Sequence, residues 1–127
     1  MNNPYDGFDV IYTYTREQAI EEGVLIDVSE MAAEAGFKWP VAVTVNVWIY
    51  YIVPDEDSRS CGQSEEGRLW DLLTMLRLHS QNGGEIVMFK VYFLMQGNKK
   101  KLVTLKAVAG PGDNGEPVVT VMLPEED

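Results

Sequence analysis

Cys61 and His79 are the only cysteine and the only histidine of the chain, and they are the residue types of a thiol nucleophile and its base. Cys61 lies in the polar stretch PDEDSRSCGQS, Pro54 to Ser64, with no oxyanion-donor motif beside it and no third member to orient the histidine. The expectation is a surface thiol, with His79 a cation near the end of a helix, where it suits the dipole. A single cysteine excludes an intramolecular disulfide and any multi-cysteine zinc site. Asp55-Glu56-Asp57 has the oxygen density of a divalent-cation loop but lacks the spacing and glycine of the calcium hand, so it reads as a solvated acidic loop. Gly110-Pro111-Gly112-Asp113-Asn114-Gly115 has no lysine and no following helix to hold a phosphate, and reads as a hairpin loop. Lys99-Lys100-Lys101 reads as a turn that keeps a sheet edge soluble. These readings assign no catalytic residue, no metal ligand and no cofactor.

Carboxylates are what the chain has in excess. Among its 127 residues, twenty acids face ten bases, a formal net charge of -10. Residues 1 to 66 hold thirteen acids against three bases, whereas residues 67 to 127 hold seven of each. Phosphate backbones attract basic proteins and repel this one, so direct nucleic-acid binding is not expected. An acidic half costs self-repulsion and gives long-range attraction for a basic partner. The expected partner-binding residues are Glu17, Glu21, Glu22, Glu30, Glu34, Asp55, Glu56 and Asp57. Glu17 with Glu21, and Glu30 with Glu34, are four apart and share a helix face with no basic neighbour at helical spacing.

The elements that must position these groups follow from capping and periodicity. Asp9 to Tyr14 alternates as a short strand. Thr15-Arg16-Glu17-Gln18 is a capping box that starts a helix ending at Gly23, and Val24 to Ile26 is then extended. Asp27-Val28-Ser29-Glu30 precedes a second short helix that ends at Gly36. Val41 to Val53 satisfies two periods at once: Val41, Val43, Val45 and Val47 alternate as in a strand, and Val41, Val45, Trp48 and Ile52 line a helix face. It is central to the core, or it carries a homodimer contact through Trp48, Tyr50 and Tyr51. Glu65 to Gln81 is the clearest helix, with Leu69, Leu72, Leu73, Met75 and Leu76 as its apolar stripe. Ile86 to Met95, Lys101 to Ala109 and Val118 to Leu123 are strands, and Val87, Phe89, Val91, Phe93 and Met95 share a face with Leu105 and Ala107. The expected fold is a single α+β domain over residues 1-127: a C-terminal three-stranded antiparallel β-meander packed by the long helix, with short helices in the N-terminal half. Pro124 to Asp127 reads as a frayed tail. No segment reaches the length of a membrane span, and the N-terminus has no signal-peptide pattern, so a cytoplasmic location is expected.

The phrases IYTYTREQAIEEGVLIDVSEMAAEAGF, PVAVTVNVW, EEGRLWDLLTMLR and KLVTLKAVAGPGDNGEPVVTVMLPEED resemble a family of short bacterial proteins of unknown function, often carried on plasmids, prophages and other mobile elements. The resemblance runs nearly end to end and brings no catalytic residues. It implies a bacterial or phage cytosol and a mobile-element role, and it favours a helix after PVAVT. Two functions from different classes follow. The first is an acidic inhibitor of a host nucleic-acid-targeting defence enzyme, an anti-CRISPR or anti-restriction protein whose carboxylates stand in for phosphates in a basic groove. The second is a small-ligand-binding protein or enzyme that uses carboxylates in a pocket between helices and meander.

Overall fold

The computed structural model describes residues 14–80, 84–95 and 99–127. The strand expected over Asp9 to Tyr14 therefore lies, but for Tyr14, outside the described residues. In chain order the elements are α1 (Arg16–Glu21), β1 (Leu25–Asp27), α2 (Ser29–Glu34), β2 (Val41–Thr44), α3 (Val45–Val47), a π-helix (Trp48–Ile52), α4 (Glu56–Ser60), α5 (Glu65–His79), β3 (Ile86–Met95), β4 (Lys99–Pro111) and β5 (Pro117–Met122).

The expected meander is part of a larger sheet. β3, β4 and β5 do follow one another antiparallel, but the sheet has five strands in the order β1-β2-β5-β4-β3. β2 inserts between β1 and β5, antiparallel to the first and parallel to the second, so the sheet is mixed. The correction has a physical source in the doubly periodic segment. Its first four residues, Val41–Thr44, form a strand buried on both faces. At Thr44 the chain turns helical, and the Thr44 hydroxyl accepts the Val47 N–H at 3.3 Å as an N-cap. The single α-turn then widens, with the Val53 N–H donating to the Trp48 carbonyl five residues back. That wide turn brings Val47 and Ile52, five apart, to the same side, and both are fully buried.

One face of the sheet carries the main core. Phe89, Val91, Phe93, Val103, Leu105, Ala107, Val119, Val121, Val41 and Val43 pack there against Leu69, Leu72, Leu73 and Leu76 of α5, with Val28, Ala32, Val47 and Ile52 beside them. The opposite face is covered over β1, β2 and β5 by α1. Arg16 reaches over β5, its Nη1 donating to Thr120 Oγ1 at 2.6 Å and its Nη2 to the Val119 carbonyl at 2.9 Å. Ala19, Ala42, Val118 and Met122 are buried beneath. The Thr15/Gln18 capping box is present, and the next two orphan donors of α1, the Arg16 and Glu17 N–H groups, go to the Asp113 carboxylate at 2.8 and 3.0 Å. Asp113 sits in the β4–β5 loop, so the hairpin caps a helix almost a hundred residues away.

Three further local readings change. Glu56–Ser60 is a helix rather than loop, because Asp55 accepts the Ser58 N–H at 2.7 Å as its N-cap. Lys99, Lys100 and Lys101 belong to β4. The tail is tied down: Glu126 accepts from Thr44 Oγ1 at 2.8 Å, Asn46 Nδ2 at 3.1 Å and the Leu123 N–H at 2.8 Å, and the Lys106 ammonium donates to its carbonyl.

Candidate functional site

The eight carboxylates expected to meet a partner do not form one surface, because the sheet separates them. Glu17, Glu21 and Glu22 belong to α1, on the face bearing Thr120. Glu17 and Glu21 line a cleft there with Asp27, Asp113 and Glu116 around Arg16. The Arg16 guanidinium is half-buried; burial lowers its pKa, and Asp27, Asp113 and Glu116 pull it back up. Glu22 is engaged by the Tyr14 hydroxyl at 2.9 Å. That cluster is held by an internal arginine and by cap bonds.

Glu30, Glu34, Asp55, Glu56 and Asp57 lie on the α5 side. Met31 of α2, Trp48 of the π-helix and Leu69 of α5 line a groove with Glu65 and Glu66. α4 joins this side through Arg59, whose two terminal nitrogens hold Glu65 at 3.0 and 2.8 Å. The Arg59 bond is the main reason the Glu65 carboxyl sits below the usual carboxylate range. The groove thus has an apolar floor bordered by Glu65 and Glu66 in the first turn of α5, with further carboxylates on two short helices, α2 and α4, on the same side of the sheet. Glu65 and Glu66 were not among the expected partner residues. Their place at the start of a helix reads as dipole chemistry, which hides that they also border a groove.

The three aromatic residues expected at a homodimer contact are also divided. Trp48 lines the groove, Tyr51 stacks on Phe93 with centroids 6.0 Å apart, and Tyr50 points to solvent beside Ile49.

Cys61 and His79 do not meet. Cys61 is exposed at the end of α4, before α5, while His79 closes α5. The 15 residues of α5 keep them apart by a helix length of roughly 22 Å. His79 Nδ1 lies 2.9 Å from the Met75 carbonyl and its ring is tilted over Phe89, a packing role. Among the described residues no group of three histidine, cysteine, aspartate or glutamate side chains could hold a metal ion. No described helix is long and apolar enough to cross a membrane.

A cavity of about 450 Å³ opens at the C-terminal end of α5 between helix and sheet. Its walls are mostly apolar: Phe37, Trp39, Leu76, Val87, Ala107 and Ala109, with Ser80 and Glu85 as polar members. Ala107 and Ala109 make room for it, since larger residues at these β4 positions would fill the space.

One nearly buried charge holds the groove's scaffold together. Arg68 of α5 is 1% exposed. Its guanidinium donates to the Tyr51 carbonyl at 3.0 Å and to the Leu94 carbonyl on β3, tying the π-helix to the edge strand. Among the described residues Nε has no hydrogen-bond partner. Burial lowers the Arg68 pKa, while Asp55 opposes that and Arg59 adds to it.

The family profile that matches this sequence spans residues 1–127. The chain belongs to DUF6573, a family of unknown function. No curated protein and no solved structure matches it. For this DUF6573 member, function has to be argued from its own surfaces.

Proposed function

We propose that this DUF6573 protein is a non-enzymatic binding protein whose acidic helical side engages the basic surface of a nucleic-acid-binding protein. The observation that carries the reading is the groove of Met31, Trp48 and Leu69 bordered by Glu65 and Glu66, with Glu30, Glu34, Glu56 and Asp57 on the helices around it. Carboxylates on packed helices keep their spacing when a partner approaches, so they stand in for phosphates at little ordering cost. An apolar floor adds short-range affinity to that long-range attraction. The setting that suits this chemistry is a bacterial cytosol, with the protein as a mobile-element inhibitor of a restriction or CRISPR effector. The contact then involves Glu30, Glu34, Glu56 and Asp57, with Glu66 in addition; Asp55 holds α4 in place, and the α1 carboxylates lie across the sheet.

The test is competition. Labelled DNA bound to purified restriction and CRISPR effector nucleases is challenged with the protein at low and high salt. Displacement that weakens with salt and is lost on combined Glu30→Lys, Glu34→Lys, Glu56→Lys and Glu66→Lys substitution supports the reading; displacement indifferent to both refutes it.

A second reading, a small-ligand-binding protein, is favoured by the apolar cavity at the end of α5. Trp39 lines it, so a flat apolar ligand entering there changes tryptophan fluorescence.

A further inference from the structure

The β3–β4 hairpin inverts the charge of the rest of the chain. Ile86–Pro111 contains Lys90, Lys99, Lys100, Lys101 and Lys106, half of the ten bases, and no acid. Averaging over the C-terminal half conceals this, because Asp71, Glu85, Asp113, Glu116 and the tail cancel it.

Register sorts the hairpin's side chains between its two faces. The core-facing pairs include Phe89 with Leu105 and Val91 with Val103. The opposite face presents Ile86 with Val108, Met88 with Lys106, Lys90 with Thr104, Tyr92 with Leu102, and Leu94 with Lys100. Among the described residues, α1 covers this face over β1, β2 and β5 and nothing covers the β3–β4 part. Ile86 and Tyr92 are each 61% exposed, Met88 49% and Leu102 46%. Among the described residues no carboxylate lies within ion-pair distance of Lys90 or Lys100, and the Lys100 ammonium sits 5.9 Å from the centroid of the Tyr92 ring.

We propose that this open face is a docking surface for an acidic amphipathic helix of a partner protein. The five residue pairs run about 27 Å along the strands and the two strands span about 10 Å, which is the footprint of an α-helix of roughly 18 residues. The hairpin already accepts such a neighbour on its other face, where α5 lies over β3. A second helix completes a helix–sheet–helix layering over strands that are now half solvated. Charge selects the occupant: Lys90 interrupts the row between Met88 and Tyr92 and Lys100 lies at its end opposite Leu94, so the incoming helix carries aspartate or glutamate beside its apolar stripe. A two-fold copy of the same face would set lysine against lysine. Single-stranded nucleic acid would need stacking platforms, and this face offers Tyr92 alone among aliphatic side chains. The proposal concerns a different surface from the acidic groove and stands whether or not that groove meets a basic partner.

The probe is a synthetic 18-residue helical peptide with leucine at i, i+3, i+4 and i+7 positions and glutamate on its flanks, titrated into the full chain while amide resonances are followed. The expected result is shifts confined to the β3–β4 rows, with at least about tenfold weaker binding for the same peptide carrying lysine. Lys90→Glu with Lys100→Glu should reverse that preference, and Leu102→Glu should weaken both peptides. These side chains are exposed, so unchanged thermal unfolding verifies that the variants fold. Equal binding of the two peptides, shifts elsewhere, or no binding overturns the proposal. So do tighter binding of an oligothymidylate or of phosphatidylglycerol vesicles at this face, self-association abolished by Lys90→Glu with Lys100→Glu, and binding that emerges only after removal of residues 1–13.

Discussion

Replacing Arg68 separates what its charge contributes from what its stem contributes. The guanidinium makes two charge-assisted bonds, to the Tyr51 and Leu94 carbonyls, and is otherwise buried with Nε unpaired among the described residues. Each such bond contributes about 1.5–3 kcal/mol. Against that stands the cost of removing a cation from water, several kcal/mol even after relaxation. The two nearly offset, so the polar head adds little net stability. Its stem is different: each buried methylene is worth about 0.8 kcal/mol, and truncation adds a cavity cost. Arg68→Met keeps the stem, relieves the buried charge and leaves two carbonyls without this donor, for an expected net loss of about 0–2 kcal/mol. Arg68→Ala loses the stem as well, for about 2–4 kcal/mol. Urea unfolding followed by tryptophan fluorescence measures both, with the slope checked for constancy. Arg68→Met costing more than Arg68→Ala, or Arg68→Ala within about 0.5 kcal/mol of the parent, would refute the reasoning.

Asp113→Ala removes the acceptor of two N–H groups of α1 and is expected to cost about 1–2 kcal/mol, with hydrogen exchange accelerating in α1 ahead of the other helices. Arg59→Gln should raise the Glu65 titration midpoint towards the ordinary carboxylate value, read by carbon NMR. Because the folded value is depressed, the pair's contribution is present above the unfolded carboxylate range and lost as pH falls through the folded value; Arg59→Gln should flatten that dependence. Glu126→Lys places a cation where three donors converge, so the melting temperature should fall by several degrees, whereas Glu125→Lys should leave it within a degree.

How much of this was legible depends on how far apart the interacting residues stand in the chain. The capping box at Thr15 and the alternation from Ile86 to Met95 are local signals, and both elements form where they occur. So does the long helix, Glu65–His79; its expected end at Gln81 lies outside the described residues. Val41 to Val53 carried the strand and helix periods together because it is both in turn, and the one local mark of the switch is Thr44, an N-cap residue type that sits in the alternating run without interrupting either period. The parallel pairing of Val41–Val43 with Val119–Val121 joins segments almost eighty residues apart, beyond the reach of periodicity. Asp113 capping α1 is another such contact. The acidic candidates came from a charge census, and a census does not know that a sheet runs between Glu17 and Glu30. The lysines of β4 read as a soluble turn because a three-residue run resembles one; their register with Phe93, Leu94 and Met95 becomes visible only in the paired strands.

The most direct test of the electrostatic account is fluorescence polarisation of labelled DNA on a basic-groove defence nuclease, with this protein as competitor, at about 50 and 200 mM salt. The account predicts displacement at low salt that falls steeply at high salt. Charge reversal at Glu30, Glu34, Glu56 and Glu66 should abolish it, while reversal at Glu17 and Glu21 across the sheet should preserve it. Failure to displace DNA from any enzyme of the restriction and CRISPR classes, or equal loss from both sets of reversals, would contradict it.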